Sequence, residues 1–350
     1  MSSRISFSHT ALAVALASAL SLTLISCNGS KPDSDQPGPD TTQQATLPAL
    51  EVKPVPPFDE QRAYRDVEKQ VSFGPRVSKS EAHKQALAFF ESELKATGAS
   101  VQIQRFSADG YNGEKLELAN VLAAFNPTAT ERVLLVAHWD SRPRADHDPD
   151  TTKQNKPIAA ANDGASGVGV LLEIARQMKD NPPPIGVDIL LTDGEDYGDS
   201  DIDEEEKYFL GAKHFAKNRP AGYYPRLGIL LDLVGDRKAV FKKEAYSMQA
   251  APSIVNFVWG VAQELNLRTF SQELGDGISD DHLPLIQAGM RVIDIIDQEL
   301  VGHKSSDPER KYWHTHNDTM KNISAATLDE VGTLVLTLIY DRLPKSIRNL

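Results

Sequence analysis

The chain has 350 residues, 25% of them charged and 40% hydrophobic, a globular composition that excludes a disordered or polytopic membrane protein. A net charge of −12 and the lack of a Lys/Arg-rich run speak against nucleic-acid binding, while an acidic surplus is compatible with cationic partners. The single cysteine, Cys27, excludes a disulfide framework within one chain.

Arg4 and the nearly apolar run from Ala11 to Ile25 read as a signal peptide over residues 1–26. The run is shorter than the roughly 20 residues that span a bilayer. It ends in Leu24-Ile25-Ser26-Cys27, which resembles a bacterial lipobox, so Cys27 is the expected lipidation site. An acylated Cys27 would hold an exported, soluble domain at a bacterial membrane, with the periplasmic face of the outer membrane the expected location. Residues 27–57, rich in Pro, Ser, Asp, Gln and Thr, read as a flexible tether, and a single α/β domain is expected over 58–350.

From Phe58 onward the patterns alternate. Helices are predicted over 58–71, stopped by Phe73-Gly74-Pro75, and over 80–97, with Ser80 as N-cap and Gly98 beyond the end. Strands follow at 101–106, 118–125 and 132–137. The remainder reads as helix 165–179, strand 186–192, helix 205–217, strand 227–234, helix 252–265, a short strand at 268–271, strand 291–296 and helix 325–342. This rhythm predicts a central, mostly parallel sheet flanked by helices, with ligands at the carboxyl ends of its strands.

Several polar residues fall at those ends. His138-Trp139-Asp140 follows the third strand. Asn162-Asp163-Gly164-Ala165-Ser166-Gly167 opens a helix, where Asp163 is either a free carboxylate or a cap. Asp193-Gly194-Glu195-Asp196 packs adjacent carboxylates after a buried strand, which repel unless a proton or metal intervenes, or else form an exposed turn. Asp232 lies in the apolar Leu230–Val234 run and needs a partner if buried. Asp280-Asp281-His282 precedes Leu283-Pro284. Trp313-His314-Thr315-His316-Asn317-Asp318-Thr319 gathers imidazoles before the last helix. The acidic stretch Asp199–Glu206 lacks the spacing of an EF-hand calcium loop and reads as a solvated loop.

In this order the motifs resemble the co-catalytic zinc aminopeptidase superfamily over about residues 60–345. Trp313 directly before His314, and Gly277-Ile278-Ser279-Asp280-Asp281-His282-Leu283-Pro284, are similar to its glutaminyl cyclase branch. The lipobox together with Asp193-Gly194-Glu195-Asp196-Tyr197-Gly198-Asp199 looks like cyclases of Bacteroidetes-type bacteria. The resemblance implies an α/β fold with a central mixed, mostly parallel sheet. It also implies one zinc ion on Asp163, Asp196 and His314, with Glu195 as proton shuttle and Asp232 and Asp280 in a hydrogen-bond network beside it. Trp313 and Ile278 would line the substrate pocket, and the substrates would be peptides or proteins with N-terminal Gln, converted to pyroglutamate by a monomeric enzyme. Asp196 stands where animal cyclases have Glu, and the shorter arm would shift the metal or alter its coordination.

The same residues also suit a two-zinc aminopeptidase, in which His138 and Asp232 join Asp163 around a second zinc and Glu195 deprotonates a bridging water. His138 and Asp140 are thus expected either to ligate a second metal or to support the first. A third reading is a lipoprotein binding module that has lost catalysis.

Overall fold

The computed structural model describes residues 48–199 and 205–350. The predicted signal peptide, Cys27 and most of the predicted tether lie outside the described residues, as does the middle of the acidic Asp199–Glu206 stretch. One compact unit runs from Pro48 to Leu350. Its packed chain begins before Phe58. Lys53 donates through its N–H to Tyr340 O at 3.0 Å and through Nζ to Pro182 O at 3.0 Å, and Pro56 is buried. Residues 48–57 are therefore fastened to the domain instead of belonging to the tether.

Local signals set the first helices. In α1 (Glu60–Ser72) the Asp59 side chain accepts from Arg62 N, and the helix stops before Gly74 at φ +91°. In α2 (Glu81–Ala96) Ser80 caps by accepting from His83 N, and Gly98 at φ +81° lies past the end. Next come β1 (Ser100–Asp109), β2 (Lys115–Phe125), β3 (Arg132–His138), α3 (Ala165–Asp180), β4 (Gly186–Thr192), α4 (Leu210–Asn218) and β5 (Leu227–Asp232). They are followed by β6 (Phe241–Lys243), α5 (Ala245–Ala250), α6 (Pro252–Glu264), β7 (Phe270–Leu274), α7 (His282–Gln287), β8 (Val292–Ile296) and α8 (Ala325–Thr337).

Among the described residues the main sheet has six strands in the order β1-β2-β4-β3-β5-β8. β1 and β2 pair antiparallel, as do β2 and β4, whereas β4, β3, β5 and β8 are mutually parallel. The sheet is mixed, as expected. Its parallel strands β4, β5 and β8 are buried at every position, which is why they read as mainly apolar runs, each with a single Asp. Along β3 the side chains alternate between two cores. Val133, Leu135 and Ala137 face the larger one with α1, α3 and α8, while Leu134 and Val136 face the one containing Phe215 and Leu285.

Two expected elements differ. The helix predicted from 205 begins as a single 3-10 turn (Glu205–Lys207), and α4 proper starts at Leu210. Phe209 N–H donates to Glu195 O and Leu210 N–H to Gly194 O, so the segment docks on the turn after β4 before it can coil. The last helix ends at Thr337 and continues as a wider π turn over Leu338–Arg342.

Candidate metal centre and active site

The strand order reverses at β3: β4 lies on one side of it and β5 on the other. A crevice opens at the carboxyl ends of such strands. His138 ends β3 opposite Thr192 of β4, and Asp232 ends β5 opposite Ile296 of β8, so both side chains reach that edge. The chain turns sharply after Asp232, with Leu233 at φ +50° and its N–H donating to Asp232 Oδ1 at 2.7 Å.

Asp163 arrives on the loop before α3. The N-cap there is Gly164 at φ +86°, and no side chain caps the helix, so the Asp163 carboxylate is not spent on capping. A Cβ at position 164 would stand 2.7 Å from the His138 ring. Asn162 and Asp163 both donate their N–H groups to Asp318, at 2.9 and 3.1 Å, tying the first loop to the His-Thr-His-Asn-Asp segment. Glu195 and Asp196 follow β4 through Gly194 at φ +76°, and their N–H groups donate to Asp140 at 3.1 and 3.4 Å.

These elements bring together the ligands expected from the sequence. His314 Nε2 lies 3.3 Å from Asp196 Oδ2 and 3.6 Å from Asp163 Oδ2. Both carboxylate oxygens are buried without a hydrogen-bond partner. A buried acceptor left unpaired is costly, and two oxygens with an imidazole nitrogen form a donor set suited to zinc. At a second corner His138 Nε2 lies 3.2 Å from both Asp163 Oδ1 and Asp232 Oδ1. Asp163 thus offers one oxygen to each corner, and each corner is a three-residue group able to hold a cation.

The electrostatics point the same way. Burial, with the nearby carboxylates, pushes Asp163 and Asp196 up to about 7. Burial, and next the charge of Asp196, pushes Glu195 well above the usual carboxylate range. Asp280 is driven well up by burial and by Asp232, and its Oδ2 is buried without a partner. Burial opposes a charged His138, yet hydrogen bonds with Asp140, Asp163 and Asp232 raise it well above the ordinary imidazole value. A pocket with this many buried acids is incomplete without added positive charge.

Trp313 stacks on His314, with ring centroids 3.5 Å apart. Ile278 is buried in an apolar cluster with Leu233, Ile296, Leu300 and Tyr312, against which Trp313 packs. Glu195 Oε2 sits 3.9 Å from His138 Nδ1, on the other side of the ring from Asp163 and Asp232. An apolar wall, a carboxylate and a cation site are thereby assembled around one edge.

A family model for peptidase family M28 matches residues 120–339, the span that carries all of these motifs. The chain belongs to peptidase family M28. Among solved structures of similar proteins, a Tannerella forsythia glutaminyl cyclase is 45% identical with a TM-score of 0.76, covering 81% of this chain and 99% of that one. A Zn-dependent exopeptidase from Parabacteroides distasonis is 43% identical with a TM-score of 0.77, covering 83% and 100%. A bovine glutaminyl-peptide cyclotransferase is 23% identical over 256 residues, which span 64% of this chain and 66% of that protein.

Within this M28 chain Asp140 does not join either metal-binding group. It accepts the two N–H groups of Glu195 and Asp196 and lies 3.5 Å from His138 Nδ1. His316 points away, to Asp148 at 3.0 Å. Asp281 is buried and accepts from Thr192 Oγ1. Asp199 pairs with Arg144 at 3.1 Å.

Sequence reasoning missed two positive charges. Arg76 is fully buried and holds the loop after β3, donating to Trp139 O, Ala159 O and Ala160 O at 2.8–2.9 Å. Arg142 is fully buried between Asp146 and Asp196. Arg142 had a signal, since it lies two residues beyond the His-x-Asp triplet. Arg76 had none, because its partners are backbone carbonyls.

Proposed function

We propose that the chain is a zinc-dependent glutaminyl-peptide cyclotransferase, converting the N-terminal Gln of peptides or proteins to pyroglutamate with release of ammonia. The observation that carries this reading is the difference between the two corners. At Asp163, Asp196 and His314 the metal-facing oxygens are buried and unpaired. At His138 the ring nitrogen is already hydrogen-bonded to its carboxylate neighbours, and Asp232 Oδ1 also accepts from Leu233 N. This favours one metal with His138 as a structural partner. The similar Tannerella protein is a glutaminyl cyclase, and Trp313 beside Ile278 supplies an apolar wall for the substrate side chain.

A zinc ion on Asp163, Asp196 and His314 supplies a Lewis acid for the substrate γ-carbonyl and for the negative charge that develops on its oxygen. Glu195 takes a proton from the attacking α-amine and gives it to the departing amide nitrogen. A C–N bond forms as the other breaks, and no water is consumed. Burial strengthens Glu195 as a base, the direction such a shuttle requires near neutral pH. Asp280, whose carboxyl burial and Asp232 drive well up, belongs to the acid network beside Glu195. Substrates are peptides or exported proteins bearing N-terminal Gln, bound by a monomer anchored through Cys27.

The second reading, a two-metal aminopeptidase, is favoured by the fact that His138, Asp163 and Asp232 also converge. Incubating the purified protein with a Gln-initiated peptide separates the two. Loss of one ammonia from an otherwise intact peptide, with one zinc per chain, is expected. Release of free glutamine with two tightly bound zincs would overturn the cyclase reading.

A further inference from the structure

We infer that Arg142 is a positioning residue that sets how the metal is held, by taking one oxygen of Asp196 out of the metal's reach and by holding the Asp146 carboxylate beside His314. This rests on the metal placement proposed above and not on the reaction.

Arg142 is fully buried, and its guanidinium reaches Asp146, Asp196 and the Tyr208 hydroxyl, the last at 3.4 Å. One edge grips Asp146 with both nitrogens, Nε to Oδ1 at 2.7 Å and Nη2 to Oδ2 at 2.5 Å. Nη1 donates to Asp196 Oδ1 and also to the Asp196 carbonyl at 3.3 Å. The other oxygen, Asp196 Oδ2, is left unpaired and faces His314. Asp196 can therefore offer the metal one oxygen instead of two. With only Asp163, Asp196 and His314 as ligands, single-oxygen binding leaves a coordination position for substrate.

The second arm runs through Asp146. Its Oδ1 stands 3.5 Å from His314 Nδ1, on the side of the ring away from the ligand oxygens, and acts on that nitrogen by charge, since Nδ1 is buried without a hydrogen-bond partner. A carboxylate there favours the proton on Nδ1, leaving Nε2 as the donor. Asp146 is itself oriented by the two-nitrogen grip. One planar cation thus links the outer faces of two of the three ligands. A lysine ammonium cannot reproduce this, because it is a point donor without a rigid fork.

The test uses Arg142→Lys and Asp146→Asn in the full chain, with melting of the metal-free proteins as the check on folding. Zinc affinity is measured by competition with a chelator, and the cobalt-substituted forms are compared by visible absorption. Both variants are expected to bind zinc about 10- to 100-fold more weakly than wild type, the usual cost of losing support behind a ligand. The cobalt bands should shift or lose intensity, and the double variant should lose less than the product of the single losses. Wild-type affinity with an unchanged cobalt spectrum in the folded variants overturns the inference. So does tighter binding, which would mean that Arg142 acts only by repelling the metal. If Arg142→Lys does not fold, Asp146→Asn alone decides by the same criteria. A wild-type chain that binds no zinc sinks the metal placement itself. One that binds zinc yet leaves Gln-peptides intact sinks the reaction and leaves this inference standing.

Discussion

At the scale of single residues, the site is a problem of buried charge. Asp163, Asp196, Asp232 and Asp280 converge with Glu195, with the His138 imidazole and the Arg142 guanidinium set among them. Each carboxylate answered an ambiguity left by the sequence. Asp163 looked equally like a helix cap, but Gly164 takes that position. Asp232 could have faced solvent on an edge strand, but β5 lies between β3 and β8 and the side chain is buried. The residue that separates chemistry from binding is Glu195. Its replacement by Gln keeps the shape and removes the base. Steady-state turnover of a Gln-peptide should fall by about 10²- to 10⁴-fold, with zinc content unchanged. Unchanged turnover would remove Glu195 from the proposed mechanism.

At the scale of elements, two packing details hold the crevice open. The first is the approach of α3 to β5. A Cβ on Gly167 would stand 2.2 Å from Leu231 O, so Gly167→Ala must push the helix off the strand that carries Asp232. Overpacking of this kind costs about 1–3 kcal/mol, and a lower denaturation midpoint with weaker zinc retention is the expected result. The second is the fastening of the 276–281 loop, which bears Ile278 and Asp280. Glu244 is fully buried and accepts from Tyr246 N and Ser247 N at the start of α5 and from Ile278 N at 3.0 Å, with His282 Nε2 3.4 Å away. Burial alone would raise this carboxyl, but the His282 and Ser247 contacts hold it at about 2, below its ordinary value of 4.5. A depressed folded value means the stabilisation is complete above pH 4.5 and is lost as pH falls toward 2. In acid titrations of the melting temperature, wild type should lose more over that window than Glu244→Gln. At neutral pH the variant should be the less stable by about 1–3 kcal/mol. Parallel acid profiles would show that Glu244 carries no such linkage.

At the scale of the whole molecule, the unit extends from Pro48 to Leu350 and closes on its own first residues. Arg348 Nη1 donates to Pro48 O at 2.8 Å, and Lys53 reaches Tyr340 and Pro182. A chain starting at Phe58 should therefore melt lower than one starting at Pro48. Each lost hydrogen bond contributes about 0.5–1.5 kcal/mol, and each kcal/mol is worth roughly 2–4 °C in a molecule of this class. Equal melting temperatures would show that the segment adds nothing. Metal acts on the same balance. A chelator should lower the melting temperature, because Asp163 Oδ2 and Asp196 Oδ2 are then buried without a partner. Zinc restored at 100 times its dissociation constant should return about 2.7 kcal/mol. A chelator-insensitive melting curve would mean that the three ligands hold no metal.

Much of the framework was legible in the sequence because its signals are local. Ser80 and Gly98 bracket α2, the apolar run of 186–192 is β4 to the residue, and the turns after β3, β4 and β5 announce polar groups at one edge. The start of α4 was not legible, since it depends on Phe209 and Leu210 docking onto the backbone of Gly194 and Glu195. By itself the sequence determined which residue types stand at the ends of which strands, because periodicity, caps and turns act over a few residues. Only the tertiary structure decided which carboxylate oxygens are left unpaired, that Asp140 receives the backbone N–H groups of Glu195 and Asp196, and that Arg142 links Asp146 to Asp196. The physical reason is that strand order and loop packing bring together residues far apart in the chain, such as Asn162 and Asp318, 156 positions apart, and burial then makes every unpaired charge costly.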